Sequence, residues 1–191
     1  YVGEQTEVVT AAGAMIVPGF MDGHTHFLDG GFQLASVDLR TADTPEEFTA
    51  RIAAFAAERK PGEWILGGDW DHERWPGTPL PTKEWIDSVT PNNPVFVNRL
   101  DGHMAVANSA ALRAAGITKA SKDIPGGEIV RDPRTGNPTG LLKDNAMGPV
   151  YGAMPAPTEA QRDAALARAV AFAASKGVTA VNFMSAPTSS L

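Results

Sequence analysis

Apolar positions along the chain follow two spacings, and the switches between them mark the predicted elements. Short apolar runs closed by glycine or proline read as strands. Residues 7–10 and 15–17 flank Ala12-Gly13 and predict a short hairpin, and after the Pro18-Gly19 break a new strand begins at Phe20-Met21. Trp64-Ile65-Leu66 and residues 94–98 predict further strands, and Glu128-Ile129-Val130 a brief one within the Gly-, Pro-, Asp- and Asn-rich stretch 121–140. Helical spacing appears after Thr44, where Pro45 at the first position and Glu47 as the closing residue of a capping box precede Phe48, Ile52 and Phe55 on one face. That helix stops near Lys60-Pro61-Gly62. A short helix is predicted from Thr82 to about Val89. Asn108 or Ser109 caps an alanine-rich helix ending at Gly116. Thr158 and Gln161 form a second capping box for a long amphipathic helix that carries Leu166, Val170 and Phe172 with many alanines. Lys176-Gly177 ends it, and residues 178–184 predict a buried parallel strand. Helix, glycine, apolar strand is the grammar of an α/β fold.

Composition narrows the class. The 191 residues are 43% hydrophobic and 20% charged, enough for a sizeable core. A net charge of −6 offers no basic face for nucleic acid. No apolar run reaches the roughly 18 residues that span a bilayer, and no leader opens the sequence, so no membrane partner is expected and the cytoplasm is the default. The absence of cysteine excludes disulfides and thiolate chemistry.

The candidate chemistry starts at His24 and His26. A strand has a side-chain period of two, so imidazoles at i and i+2 lie on one face, an arrangement suited to a metal ion. A packed or solvated pair is the alternative. Neutral imidazoles suit zinc, iron, nickel or copper, and the pair does not choose among them. Asp22, two residues earlier, is placed to fix an imidazole tautomer or to stay a solvated carboxylate.

The run Val17-Pro18-Gly19-Phe20-Met21-Asp22-Gly23-His24-Thr25-His26-Phe27 resembles the first-strand signature of the metal-dependent amidohydrolase superfamily. Residues 101–112, beginning Asp101-Gly102-His103, and residues 138–147, beginning Pro138-Thr139-Gly140, resemble motifs of its family 3 branch, which includes N-substituted formamide deformylase-like enzymes. Gly67-Gly68-Asp69-Trp70-Asp71 is similar to a further, weaker motif of that branch.

This resemblance implies an α/β fold forming part of a distorted TIM barrel. Residues 1–17 would be the edge of a small β-sandwich and 18–191 the N-terminal part of the barrel, with a long insertion at about 28–157. A complete barrel takes about 250 residues, and the chain opens at Tyr1 without methionine, so a fragment is expected. The implied cofactor is one or two divalent ions, zinc first among them. His24 and His26 would be ligands, joined by Lys143, carboxylated by carbon dioxide, or by Asp144. Such carboxylation needs a neutral, desolvated amine, and a plain surface lysine is the alternative. The resemblance casts His103 as a catalytic electrophile or substrate-positioning group, and Trp70, Asp71 and Asn108 as substrate contacts. Core packing for Trp70 and helix capping for Asn108 explain those residues equally well; His72 reads as a solvated loop residue.

The implied reaction is hydrolysis of a non-peptide carbon–nitrogen bond in a small amide-type substrate by a metal-activated water. Ring deamination and a non-catalytic metal-binding module are the alternatives, and a homodimer of the full-length enzyme stays open. Catalytic zinc usually keeps three protein ligands. Two histidines and one uncertain third ligand leave this chain, by itself, expected to be inactive.

Overall fold

The computed structural model describes residues 2–184. In chain order the elements are β1 (Phe20–Thr25), α1 (Phe27–Gln33), β2 (Val37–Asp38), α2 (Pro45–Ala57), β3 (Gly67–Trp70), α3 (Lys83–Asp87), β4 (Phe96–Arg99), β5 (Met104–Ala107), α4 (Ser109–Ala114), β6 (Gly127–Arg131), β7 (Pro138–Asp144), α5 (Gly148–Ala153), α6 (Glu159–Ser175) and β8 (Val178–Phe183). Short 3-10 turns lie at His72–Arg74 and Asn145–Met147. Two sheets result. One is a parallel pair, β1 with β8; the other has six strands in the order β2-β3-β4-β5-β7-β6, parallel from β2 to β4 and antiparallel beyond. Among the described residues no helix is long and apolar enough to cross a membrane.

The strand period of two sorts the six-stranded sheet into two cores. Val97, Val106 and Leu141 join Phe48, Ile52, Trp70 and Trp75 on one side, whereas their sequence neighbours Phe96, Ala105 and Leu142 join Leu112, Ile129 and Val150 on the other. Trp70 and Trp75 stack with centroids 6.1 Å apart, and the Phe48 ring meets both edge-on. Each buried indole N–H finds an acceptor, Trp70 at Val97 O (2.9 Å) and Trp75 at Ala42 O (2.8 Å), as burial of a polar tip requires.

Helix starts follow the predicted caps with one change. Thr158 and Gln161 close a reciprocal box on α6. At α2, Thr44 Oγ1 accepts from Glu47 N–H (3.1 Å), but the Glu47 carboxylate reaches one residue further back, to Asp43 N–H (2.8 Å).

Four expectations are corrected. Residues 2–17 carry two isolated turns and no strand, and Val8, Val9, Met15 and Ile16 are exposed; a lone hairpin with no sheet to pack on is marginal in water. The strand predicted at residues 64–66 starts at Gly67, with Ile65 in a single bridge to Val95. The buried side of α6 is Ala165 and Ala169, while Leu166, Val170 and Phe172 are about half exposed. β8 is parallel as predicted but only partly buried.

Five elements are not predicted by the apolar spacing: α1, β2, β5, β7 and α5. Glycine is a poor helix former, yet Gly30 and Gly31 sit within α1. A Cβ on Gly31 would lie 2.1 Å from the Ala165 carbonyl oxygen, so the bare backbone is what lets α1 rest on α6.

Candidate functional site

His24 lies near the end of β1, within the register shift between Asp22 and Thr25, and His26 occupies the N-cap of α1, with ring centroids 5.7 Å apart. Pairing with β8 holds this strand end, through the register Thr25↔Phe183 and the Thr25 hydroxyl donating to Asn182 O (3.2 Å). Both histidines are exposed. Asp22 accepts the backbone N–H of His24 (3.0 Å) and so shapes the strand end rather than an imidazole tautomer. Asp29 places a carboxylate oxygen 3.9 Å from His26 Nδ1. Two imidazoles on one strand end fit a divalent ion as part of its ligand set, but no group of three or more histidine, aspartate and glutamate side chains stands ready for a metal among the described residues.

A cavity of about 610 Å³ opens beside His26, between the β1–β8 pair, α1, α6 and the β2–β3 edge; Asp22, Arg40, Asp69, Phe172 and Lys176 also line it. Asp69 is the wall residue the sequence reading passed over within its own motif. It takes φ 58, and its carboxylate accepts from Gln33, from Arg40 (2.6 Å) and from Asn98 (2.9 Å). The preceding Gly67-Gly68, both at positive φ, was the available signal that the backbone here departs from a plain strand.

The predicted substrate contacts lie elsewhere: among the described residues, none of Trp70, Asp71, His103, Asn108 or Lys143 lines this cavity. Trp70 is fully buried in the core, which corrects its predicted place on a pocket wall. Asn108 is 1% exposed and uses its whole amide internally: Oδ1 accepts from Ala111 N–H (2.9 Å) and Val95 N–H (3.0 Å), and Nδ2 donates to Asn93 O (2.8 Å) and Thr90 Oγ1 (3.0 Å). Asp71 caps the 3-10 turn at Glu73 N–H (3.2 Å) and pairs with Arg99 (3.2 Å). His72 Nδ1 is buried without a hydrogen-bond partner, so that residue is not simply a solvated loop histidine.

Arg99 gathers Asp71, Glu73 (3.0 Å) and Asp101 around one guanidinium that is only 13% exposed. Burial works against its charge, but Asp101 first and then Asp71 raise it above the ordinary arginine value. Against its own desolvation, the Asp101 carboxyl is held low by the His103 N–H and by Arg99. His103 Nδ1 lies 2.9 Å from Asp144 Oδ1. Asp144, by hydrogen bond and by charge, and Asp101 more weakly, raise the exposed imidazole above the ordinary histidine value. Lys143, one residue before, donates to Glu128 (2.7 Å) and does not line the cavity beside His26.

The chain is 42% identical over 181 residues to Protein LONG AFTER FAR-RED 3 of Arabidopsis thaliana, covering 95% of this chain and 31% of that protein. It is 36% identical over 149 residues to the N-substituted formamide deformylase of Arthrobacter pascens, covering 77% and 27%. The crystal structure of an uncharacterized metal-dependent hydrolase from Pyrococcus horikoshii superposes with a TM-score of 0.62 at 27% identity, over 88% of this chain and 31% of that one. The chain thus spans under a third of the length of these relatives. Residues 7–190 match the sequence profile of the amidohydrolase family, and the chain belongs to that family.

Proposed function

We propose that this chain supplies the first metal-binding strand of a hydrolase that cleaves the carbon–nitrogen bond of a small, non-peptide amide. The observation that carries the reading is the His24–His26 pair at the end of β1, fixed by parallel pairing with β8. The deformylase relative, by its name, acts on an N-substituted formamide; the bond type is what carries over. In this reading β1 and β8 are neighbouring strands of a distorted TIM barrel, residues 1–17 edge a small sandwich, and about 28–157 form the insertion that carries the six-stranded sheet.

Zinc is the proposed ion because the family resemblance puts it first, and neutral imidazoles are compatible with it. When bound, such an ion polarises a carbonyl and lowers the pKa of a water. The chain's own residues do the rest of what can be assigned. His24 and His26 would hold the ion, Asp22 fixes the strand end that carries them, and Phe27, Phe172 and Val181 give the cavity beside His26 an apolar lining. Lys143 and Asp144 are the residues the family resemblance offers as a further ligand. Each is engaged in this conformation, Lys143 by Glu128 and Asp144 by His103, so the reading rests on the histidine pair.

Elemental analysis of the chain purified without chelator tests this, beside a His24→Ala/His26→Ala variant, with circular dichroism on both. Bound zinc that disappears in the variant is the expected result. Equal metal content in two equally folded proteins sinks the proposal.

A further inference from the structure

Asp144 adopts φ 47 and ψ −123, a conformation that residues with a Cβ rarely take. Glycine accepts positive φ without that steric penalty. A carboxylate therefore stands where the backbone alone would favour none, and its side chain makes one hydrogen bond, to His103 Nδ1 at 2.9 Å. An exposed histidine–aspartate pair is ordinarily a weak surface contact, and the side chains here are 75% and 51% exposed.

Three further contacts set this pair apart. The His103 N–H donates to Asp101 Oδ1 (3.0 Å), and the His103 carbonyl accepts from Asp144 N–H (2.9 Å). Asp101 is in turn held by the nearly buried Arg99. His103 is thus gripped on both sides of its backbone and at one ring nitrogen, at the point where β5 leaves its loop and β7 ends.

We infer that Asp144 is the positioning residue of His103, fixing its imidazole in the Nδ1–H tautomer and presenting Nε2 to a ligand. The chemistry follows from the partner: an ionised carboxylate only accepts, so the ring nitrogen facing it must donate, and the neutral ring then carries its lone pair on Nε2. What Nε2 receives is a hydrogen-bond donor, an amide N–H or a water. Naming that donor as substrate rests on the hydrolase reading. The tautomer does not, so failure here leaves the histidine-pair proposal standing, and the reverse holds as well.

Long-range proton–nitrogen correlation spectra of the histidine-labelled chain, recorded above the imidazole pKa values, read the tautomer directly, and His103→Gln assigns the signal. The expected result is a protonated Nδ1 and an unprotonated Nε2 at His103. In Asp144→Ala the ring should revert to the Nε2–H form that the free side chain favours. Asp144→Gly, which relieves the positive φ, guards against a variant that fails to fold and should revert in the same way. An Nε2–H tautomer in the parent chain, or an Nδ1–H tautomer persisting in folded Asp144→Gly, overturns the assignment.

Discussion

Replacing Asn108 by alanine separates a substrate contact from a structural amide, because the two roles predict losses of different kinds. The side chain is 1% exposed and makes four close hydrogen bonds, two as acceptor and two as donor. Losing the N-cap of α4 costs about 1 kcal/mol. The Val95 N–H, buried in a fully buried residue, loses its acceptor, which adds about 1–3 kcal/mol. The Asn93 carbonyl and Thr90 hydroxyl each lose a donor, although Thr90 Oγ1 keeps its own bond to Ile86 O (2.7 Å), and these add about 1 kcal/mol together. The total is about 3–5 kcal/mol, a large part of the roughly 5–15 kcal/mol that holds an ordinary domain together. With a urea slope of about 2 kcal/mol per M, the unfolding midpoint should fall by about 2 M. Asn108→Ser restores the cap but cannot also span to Val95, and should recover about 1 kcal/mol of the loss. An Asn108→Ala chain whose urea midpoint matches the parent would refute the structural assignment and return Asn108 to the candidates for ligand contact.

The other expectations bear on the core, the helix contact and acid stability. Phe48→Ala empties the space among Trp70, Trp75 and Trp85 and should cost about 3–5 kcal/mol; near-ultraviolet circular dichroism should weaken with it, and an unchanged tryptophan signal would argue against the stacked cluster. Gly31→Val drives side-chain atoms into the Ala165 carbonyl, so α1 and α6 must part at a cost of about 1–3 kcal/mol or more, visible as a lower thermal midpoint. The Asp43 N–H first, and Arg51 (3.2 Å) second, hold the Glu47 carboxyl below the ordinary glutamate value. Its stabilisation is therefore complete above the unfolded pKa and lost as the pH falls through the lower folded one. Urea midpoints of the parent and Glu47→Gln should converge over that acid range; a difference constant with pH would contradict the assignment.

How much of this was legible in the sequence depends on the range of the physics involved. Caps are local: the capping bonds of Thr44, Asn108 and Thr158 each reach three residues, so Thr44 and Thr158 are legible as helix starts and Asn108 as one of two candidates beside Ser109. The strand period places His24 and His26 on one face, but β1 ends at Thr25 and His26 stands at the N-cap of α1, so the 5.7 Å between the rings is set by the strand-to-helix turn. At Asp69 the same period misleads. Strict alternation would group Asp69 with Asp71, but the positive φ at Asp69 coincides with a register shift between Gly68 and Trp70. Asp71 turns to Arg99, and the Asp69 carboxylate faces the cavity beside His26.

Helix α6 shows a second kind of illegibility. Its large apolar residues are Leu166 and Val170 on one face and Phe172 nearer the face of Ala165 and Ala169, yet the residues that are buried are the two alanines. A helix–helix contact with a backbone as close as that of Gly31 selects small residues, and hydrophobicity alone ranks them last. The same contact decides where His26 stands, because α1 begins immediately after it and rests on α6, while β1 rests on β8. The chemical identity of the histidine pair is written in three consecutive residues. Its geometry is written in Thr25 against Phe183 and Gly31 against Ala165, contacts well over a hundred residues apart in the chain, so a substitution at Gly31 acts on the strand end that carries the histidines without altering either imidazole.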